Sequence, residues 1–161
     1  MLTRTHFVFA VFVFLMLFNY LSKYFNSLEI MLFFIFLLIG TFLIDVDSKK
    51  SRFGKKWYLR PLQWVVSHRG IFHTLFFVLV LAGIIYFFNR SAGFGFLLGG
   101  VLHLFLDLLT RQGVMLFWPL SGKRVKLFFL RSGGLIEEIF FVLLLLADLW
   151  LFFRVFLIRY I

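Results

Sequence analysis

Seven residues carry most of the chemistry that this sequence offers: His6, Asp45, Asp47, His68, His73, His103 and Asp107. Imidazole nitrogen and carboxylate oxygen together suit zinc, iron or manganese. The spacing His103-x-x-x-Asp107 puts both side chains on one face of a helix, where they can bind one cation or bridge two. Asp45-x-Asp47 stands where an apolar run gives way to a polar loop, a position from which two carboxylates can converge. His68 and His73 are five residues apart and do not share a helical face. One is expected in the loop and the other in the first turn of the span that follows. Seven donors exceed what one metal needs, so a centre of two or more ions is expected. Zinc is the expected metal, with manganese or magnesium as alternatives. Such an ion with an open position lowers the pKa of water towards about 7. Two ions roughly 3.5–4 Å apart stabilise both attacking and leaving oxygens.

The elements that must position these residues are membrane helices. The chain has 161 residues, 63% of them hydrophobic, including 27 phenylalanines, and a mean hydropathy of +1.02. A soluble domain averages roughly 45–50% apolar residues and could not bury this excess. Five apolar runs approach the roughly 17–25 residues that a spanning helix needs: about 7–21, 30–44, 71–88, 93–109 and 139–158. They leave no room for a large soluble domain, so residues 1–161 are expected to form a single transmembrane domain. The fold class is therefore an all-α polytopic bundle of about five transmembrane helices. Gly95-x-x-x-Gly99 in the fourth run allows close helix contact. Residues 113–130 are too short and broken to span, and read as an interfacial hairpin or a re-entrant segment around Pro119-Leu120-Ser121-Gly122. The first run lacks a small-residue cleavage site and does not read as a signal peptide.

Loop charge sets the topology. Lys49, Lys50, Arg52, Lys55, Lys56, Arg60 and Arg69 lie between spans two and three, and Arg111, Lys123, Arg124, Lys126 and Arg131 between four and five. The other two loops hold only Lys23 and Arg90. By the positive-inside rule the N-terminus and both basic loops are cytoplasmic. Arg154 and Arg159 near the C-terminus run against that assignment. The net charge of +10 thus reports topology and anionic headgroups, and no nucleic-acid partner is expected. There are no cysteines, which excludes disulfides and thiolate ligands. On this topology all seven donors fall at the cytoplasmic ends of their spans, although they are scattered in sequence.

Taken singly, several of these residues have ordinary explanations. A lone His6 near the interface can be a packing hydrogen bonder, and Asp45 and Asp47 can pair with Lys49 or Lys50. Glu137 and Glu138 read as acids favouring a helix N-terminus. Asp148, deep in the fifth span, has no assigned role. Arg69, Arg111 and the Lys123–Lys126 group suit phosphate recognition, but equally topology and lipid headgroups. His103 with Asp107 is different, because polar groups this close to hydrocarbon are costly and mark function.

The motifs Thr5-His6, Ile44-Asp45-Val46-Asp47, His68-Arg69-Gly70-Ile71-Phe72-His73-Thr74 and His103-Leu104-Phe105-Leu106-Asp107, followed by Thr110, Gly113 and Trp118-Pro119, resemble the YdjM-like family of membrane-bound metal-dependent hydrolases. The resemblance covers about residues 5–121. Ile44 stands where the family often has proline and Thr74 where serine is usual. It implies hydrolase activity and leaves the substrate undefined. The order of ligand types is more remotely similar to zinc-dependent phospholipase C, which favours a phosphoester; the second late ligand motif of those enzymes is not evident here.

The resulting expectation is a metal-dependent hydrolase in a prokaryotic plasma membrane, acting at the cytoplasmic interface on a lipid phosphoester or another membrane-associated substrate. One carboxylate, Asp47 or Asp107, would act as general base instead of ligand, and Arg69 would stabilise developing charge. The rival classes are a divalent-metal or proton transporter and a non-catalytic metal-binding protein. A transporter needs polar residues across the bilayer, and the outer halves of the spans offer little beyond Asn19, Tyr20 and Asp148.

Overall fold

A computed structural model of the chain describes residues 1–47, 71–128 and 130–156. They form five helices and, among the described residues, no strand: α1 (Thr3–Tyr24), α2 (Ser27–Leu43), α3 (Leu75–Phe88), α4 (Arg90–Leu108) and α5 (Leu135–Phe156). Three of these, α1, α4 and α5, are long and apolar enough to cross a membrane, and α2 and α3 are shorter apolar helices. The 22 residues of α1 extend about 33 Å, against a hydrocarbon core of about 30 Å.

Short polar links set the turns at one end of the bundle. Asn26 caps α2 reciprocally: its side chain accepts from the Glu29 backbone N–H at 2.9 Å, and Glu29 accepts from the Asn26 N–H at 2.9 Å. Asn89 both ends α3 and starts α4, its side chain accepting from the Ala92 N–H at 2.9 Å. At the other end, 3₁₀ turns extend α2 through Ile44–Asp47 and precede α3 at Ile71–His73. His73 therefore lies in a tight turn just ahead of α3, where an α-helical first turn was expected. Thr74 then caps α3, accepting from the Phe77 N–H at 3.1 Å. The described residues between α4 and α5 do not span. Val114 and Val125 exchange two backbone hydrogen bonds, 3.0 and 2.8 Å, which is a one-rung hairpin. The Leu116 carbonyl accepts from the Leu75 N–H, tying that loop to the start of α3.

Helix α4 is the centre of the bundle, about two-thirds buried (67%), whereas α5 is only 22% buried. The reason lies in its glycines. A Cβ built at Gly95 would overlap the Phe33 carbonyl oxygen, one at Gly99 the Leu37 oxygen, and one at Gly40 the Phe96 oxygen. The backbones of α2 and α4 are therefore in direct contact, with no side chain between them. Gly100 receives Val78 of α3 in the same way. Helix α1 closes the other side of α2, with Ala10, Phe14 and Leu15 in a core shared with Phe33, Leu37 and Leu151.

Gly99→Ala should therefore cost about 2 kcal/mol or more, since the added methyl meets rigid backbone. Gly83→Ala, which points into open space, should leave stability unchanged or slightly raised. Thermal unfolding of the two variants in the same detergent checks this; equal behaviour would show that the α2–α4 contact is looser than described.

Candidate metal centre

Five of the seven candidate donors converge at one end of the bundle, each carried by a different stretch of chain save one pair. His6 comes from the first turns of α1, Asp45 from the 3₁₀ turn after α2, His73 from the turn before α3, and His103 with Asp107 from the last turns of α4. His6, His73, His103 and Asp107 are each at most 2% exposed. Asp45 is 14% exposed.

Asp107 is the hub. Its Oδ1 lies 3.5 Å from His6 Nε2, and its Oδ2 lies 3.6 Å from His73 Nε2 and 3.8 Å from His103 Nε2. Asp45 Oδ1 stands 3.8 Å from His103 Nε2 and 3.9 Å from His73 Nε2. The His6 and His103 rings stack at 4.1 Å, and His73 meets His103 edge-on at 5.4 Å. Two overlapping sets of donors result, His6–His103–Asp107 and Asp45–His73–His103, each within 4.8 Å.

His103 is oriented by the backbone of α2. Its Nδ1 lies 2.8 Å from the Thr41 carbonyl oxygen. A carbonyl only accepts, so Nδ1 carries the proton, and Nε2 of the neutral ring turns a lone pair toward Asp45 and Asp107. This second-partner arrangement is the one that metal-bound histidines use. Thr41 itself is held by a hydrogen bond from its hydroxyl to Leu37 O, 2.8 Å. The backbone contact at Gly99 and Gly40 brings that carbonyl within reach.

The donor set fits a divalent cation. Each of the five N–O separations exceeds hydrogen-bonding range, which ends at about 3.2 Å. Two ligands about 2.0–2.2 Å from one ion at tetrahedral angles lie about 3.3–3.6 Å apart, near the separations found. His103 Nε2 and His6 Nδ1 have no hydrogen-bond partner among the described residues. Burying such groups without a partner is costly, and a coordinated cation removes the cost. Asp107, with one oxygen toward His6 and the other toward His73 and His103, has the disposition of a bridging carboxylate. The Met1 α-ammonium donates to Asp107 Oδ1 at 2.6 Å. It competes with any metal for that oxygen and leaves Oδ2 to face His73 and His103.

Glu137 takes a part that its sequence context did not suggest. Only 1% exposed, it accepts from the Leu2 N–H at 2.7 Å, the Thr5 hydroxyl at 2.8 Å and the Gly133 N–H at 2.7 Å. It fastens the start of α1, and with it His6, to the start of α5. Glu138 pairs with Arg4 at the surface. Nothing in the spacing of Glu137 marked this, since its partners are a backbone N–H and a hydroxyl more than 130 residues away. Thr41 was equally invisible because it acts through its carbonyl. Asp148 is 8% exposed within α5 and outside the cluster. Asp47 lies on the same 3₁₀ turn as Asp45, with its side chain outside the described residues, as are His68 and Arg69. Arg111 is exposed in the turn that follows α4.

The YdjM inner membrane protein family matches residues 1–160. The inner membrane protein YdjM of Escherichia coli K12 is 29% identical over 124 residues, covering 71% of this chain and 63% of that protein. The uncharacterized protein YvsG of Bacillus subtilis 168 is 28% identical over 123 residues, covering 73% of this chain and 76% of that protein. The match thus spans less than two-thirds of the length of the Escherichia coli relative. No solved structure matches the chain.

Purified protein loaded with zinc or manganese should retain metal through gel filtration. His103→Ala and Asp107→Ala should each weaken binding by more than the roughly 10–100-fold that outer partners cost; unchanged metal content in both would refute the centre as drawn. Glu137→Ala, which strands three donors, should lower stability by about 2 kcal/mol or more, while Glu137→Gln should retain most of it. Unfolding curves of the two variants decide.

Proposed function

The chain belongs to the YdjM inner membrane protein family, and from that premise we propose that it is a metal-dependent hydrolase cleaving a phosphoester of a lipid or another membrane-associated substrate. The observation that carries the reading is the buried donor set itself, with His103 Nε2 held toward two carboxylates at one end of an apolar bundle. Packing does not need five titratable groups there, and ionisable residues at membrane depth are costly unless they serve a site. The end of the bundle is also where a lipid headgroup lies, so such a substrate would reach the centre laterally. In this reading that face is cytoplasmic, as the basic loops suggest.

His6, Asp45, His73, His103 and Asp107 would hold the metal, with His68 and Asp47 as further candidate donors. A divalent ion bound there, zinc first and manganese or magnesium as alternatives, would supply Lewis-acid polarisation of a phosphoryl oxygen and acidify a water. Two ions are expected from the number of candidate donors, and His103, with Nδ1 on the Thr41 carbonyl and one lone pair free, would serve one of them. The residues do the rest. Asp47, two residues beyond Asp45, would take the proton from the attacking water, or Asp107 would do so in place of holding the metal. The water oxygen would bond to phosphorus, the bond to the leaving oxygen would break, and the proton would pass to the leaving group. The stacked His6 ring would keep Asp107 in place. Arg69, beside His68 in sequence, would meet the charge that develops on the phosphoryl oxygens.

Purified protein should hydrolyse a phospholipid or lipid phosphate presented in mixed micelles. A chelator should abolish the reaction, and zinc or manganese should restore it. Asp107→Asn should lower kcat/KM by roughly a hundredfold or more. Metal-loaded, folded protein that cleaves no phosphoester but carries the ion into sealed vesicles would replace this reading with transport.

A further inference from the structure

The end of the bundle opposite the metal centre contains a cleft of about 700 Å³ between α1, α2 and α4. Its walls are apolar, formed by Leu17 and Leu21 of α1, Phe33 of α2, and Phe94, Leu98 and Val101 of α4. Its outer end is not. Arg90 begins α4 there, and Tyr20 and Tyr24 of α1, rings 4.9 Å apart, stand beside it. Lys23 is on the last turn of α1 at the same end of the bundle but does not line the cleft, so Arg90 is the cation of its mouth. Glu29, the acid at this end of α2, is engaged in its own capping box.

The dimensions identify the occupant. Arg90 and Val101 are eleven residues apart on α4, about 16 Å along the axis. One leaflet of a hydrocarbon core about 30 Å thick is about 15 Å deep. The cleft is thus as deep as one leaflet, with Arg90 and two tyrosines at headgroup level, where aromatic side chains settle. The volume lies in the ordinary range of about 300–1,000 Å³ for ligand sites. Water in such a slot would be unfavourable, and the apolar molecule present at high concentration around the protein is lipid. The positive charge at the mouth selects a phosphate without a compensating cation.

We propose that this cleft is a binding site for one anionic phospholipid of the leaflet opposite the metal centre. Its acyl chain lies against Phe33 and Leu98, and its phosphate is held by Arg90. The site is separate from the proposed hydrolytic centre and does not depend on hydrolase activity.

Photolabelling tests it on the full chain in vesicles of equal phosphatidylglycerol and phosphatidylcholine, each lipid in turn carrying a diazirine in its acyl chain. Phosphatidylglycerol adducts should concentrate on Leu17–Leu21 and Phe94–Val101. They should exceed those on the exposed α5 residues Leu145, Leu149 and Phe153 by about fivefold, the order of preference one cation confers near an anionic surface. Val101→Trp, which fills the inner end, should remove that excess. Arg90→Gln, a surface change that keeps the test valid if the tryptophan variant fails to insert, should bring the two lipids to equal labelling of the cleft. The proposal is overturned by adducts spread evenly over α5 and the cleft, or by equal labelling of the wild-type cleft by both lipids. Disulfide-linked dimers of a Phe94→Cys variant, the chain having no other cysteine, would overturn it as well, by making the cleft an interface between copies.

Discussion

Helices α2 and α4 touch backbone to backbone, and the rest of the structure depends on that contact. Gly95 and Gly99 on one side and Gly40 on the other leave no Cβ between them. In hydrocarbon there is no hydrophobic force to hold helices together, so close van der Waals approach of this kind has to supply the association. The same approach sets the chemistry, because it places the Thr41 carbonyl 2.8 Å from His103 Nδ1. That one hydrogen bond fixes the tautomer of the central histidine. A bundle held apart by larger residues would still contain every donor but would not present Nε2 to the two aspartates.

Around that seam the helix ends are drawn inward by short, rigid devices. The 3₁₀ turns at Ile44–Asp47 and Ile71–His73 are tighter than α-helix and redirect the chain within one turn. They carry Asp45 and His73 to the face of α4 that bears His103 and Asp107. Glu137 does the equivalent for α1, gathering a backbone N–H, a hydroxyl and a second backbone N–H into one carboxylate. The polar groups of this end thus divide the work, with the histidines and aspartates as candidate ligands and Glu137 as the fastening of α1 to α5. The other end has the opposite character, with an apolar cleft rimmed by Arg90, Tyr20 and Tyr24.

Much of this was legible in the sequence because it depends on periodicity and charge. Apolar runs separated by polar loops indicate helices in a membrane, and His103 with Asp107 at i, i+4 must share a face. Gly95 and Gly99 pointed to close packing by the absence of side chains. Family membership over residues 1–160 agrees with the motifs around His6, Asp45, His73 and His103. By contrast, Glu137 looked like an acid at a helix N-terminus, and its burial beneath the start of α1 follows only from how two distant helices pair.

What the sequence determined by itself was the helical, membrane-embedded class and the roster of donors, since each follows from local composition and spacing. It could not say which donors meet, because separations such as that between His6 and Asp107 are a property of the whole bundle and no local rule sets them. The tertiary structure decided that Asp107 is shared by three histidines, that His103 is aimed by the carbonyl of Thr41, and that Glu137 anchors the first helix. All three rest on helix-to-helix distances, which are set by how closely the backbones can approach.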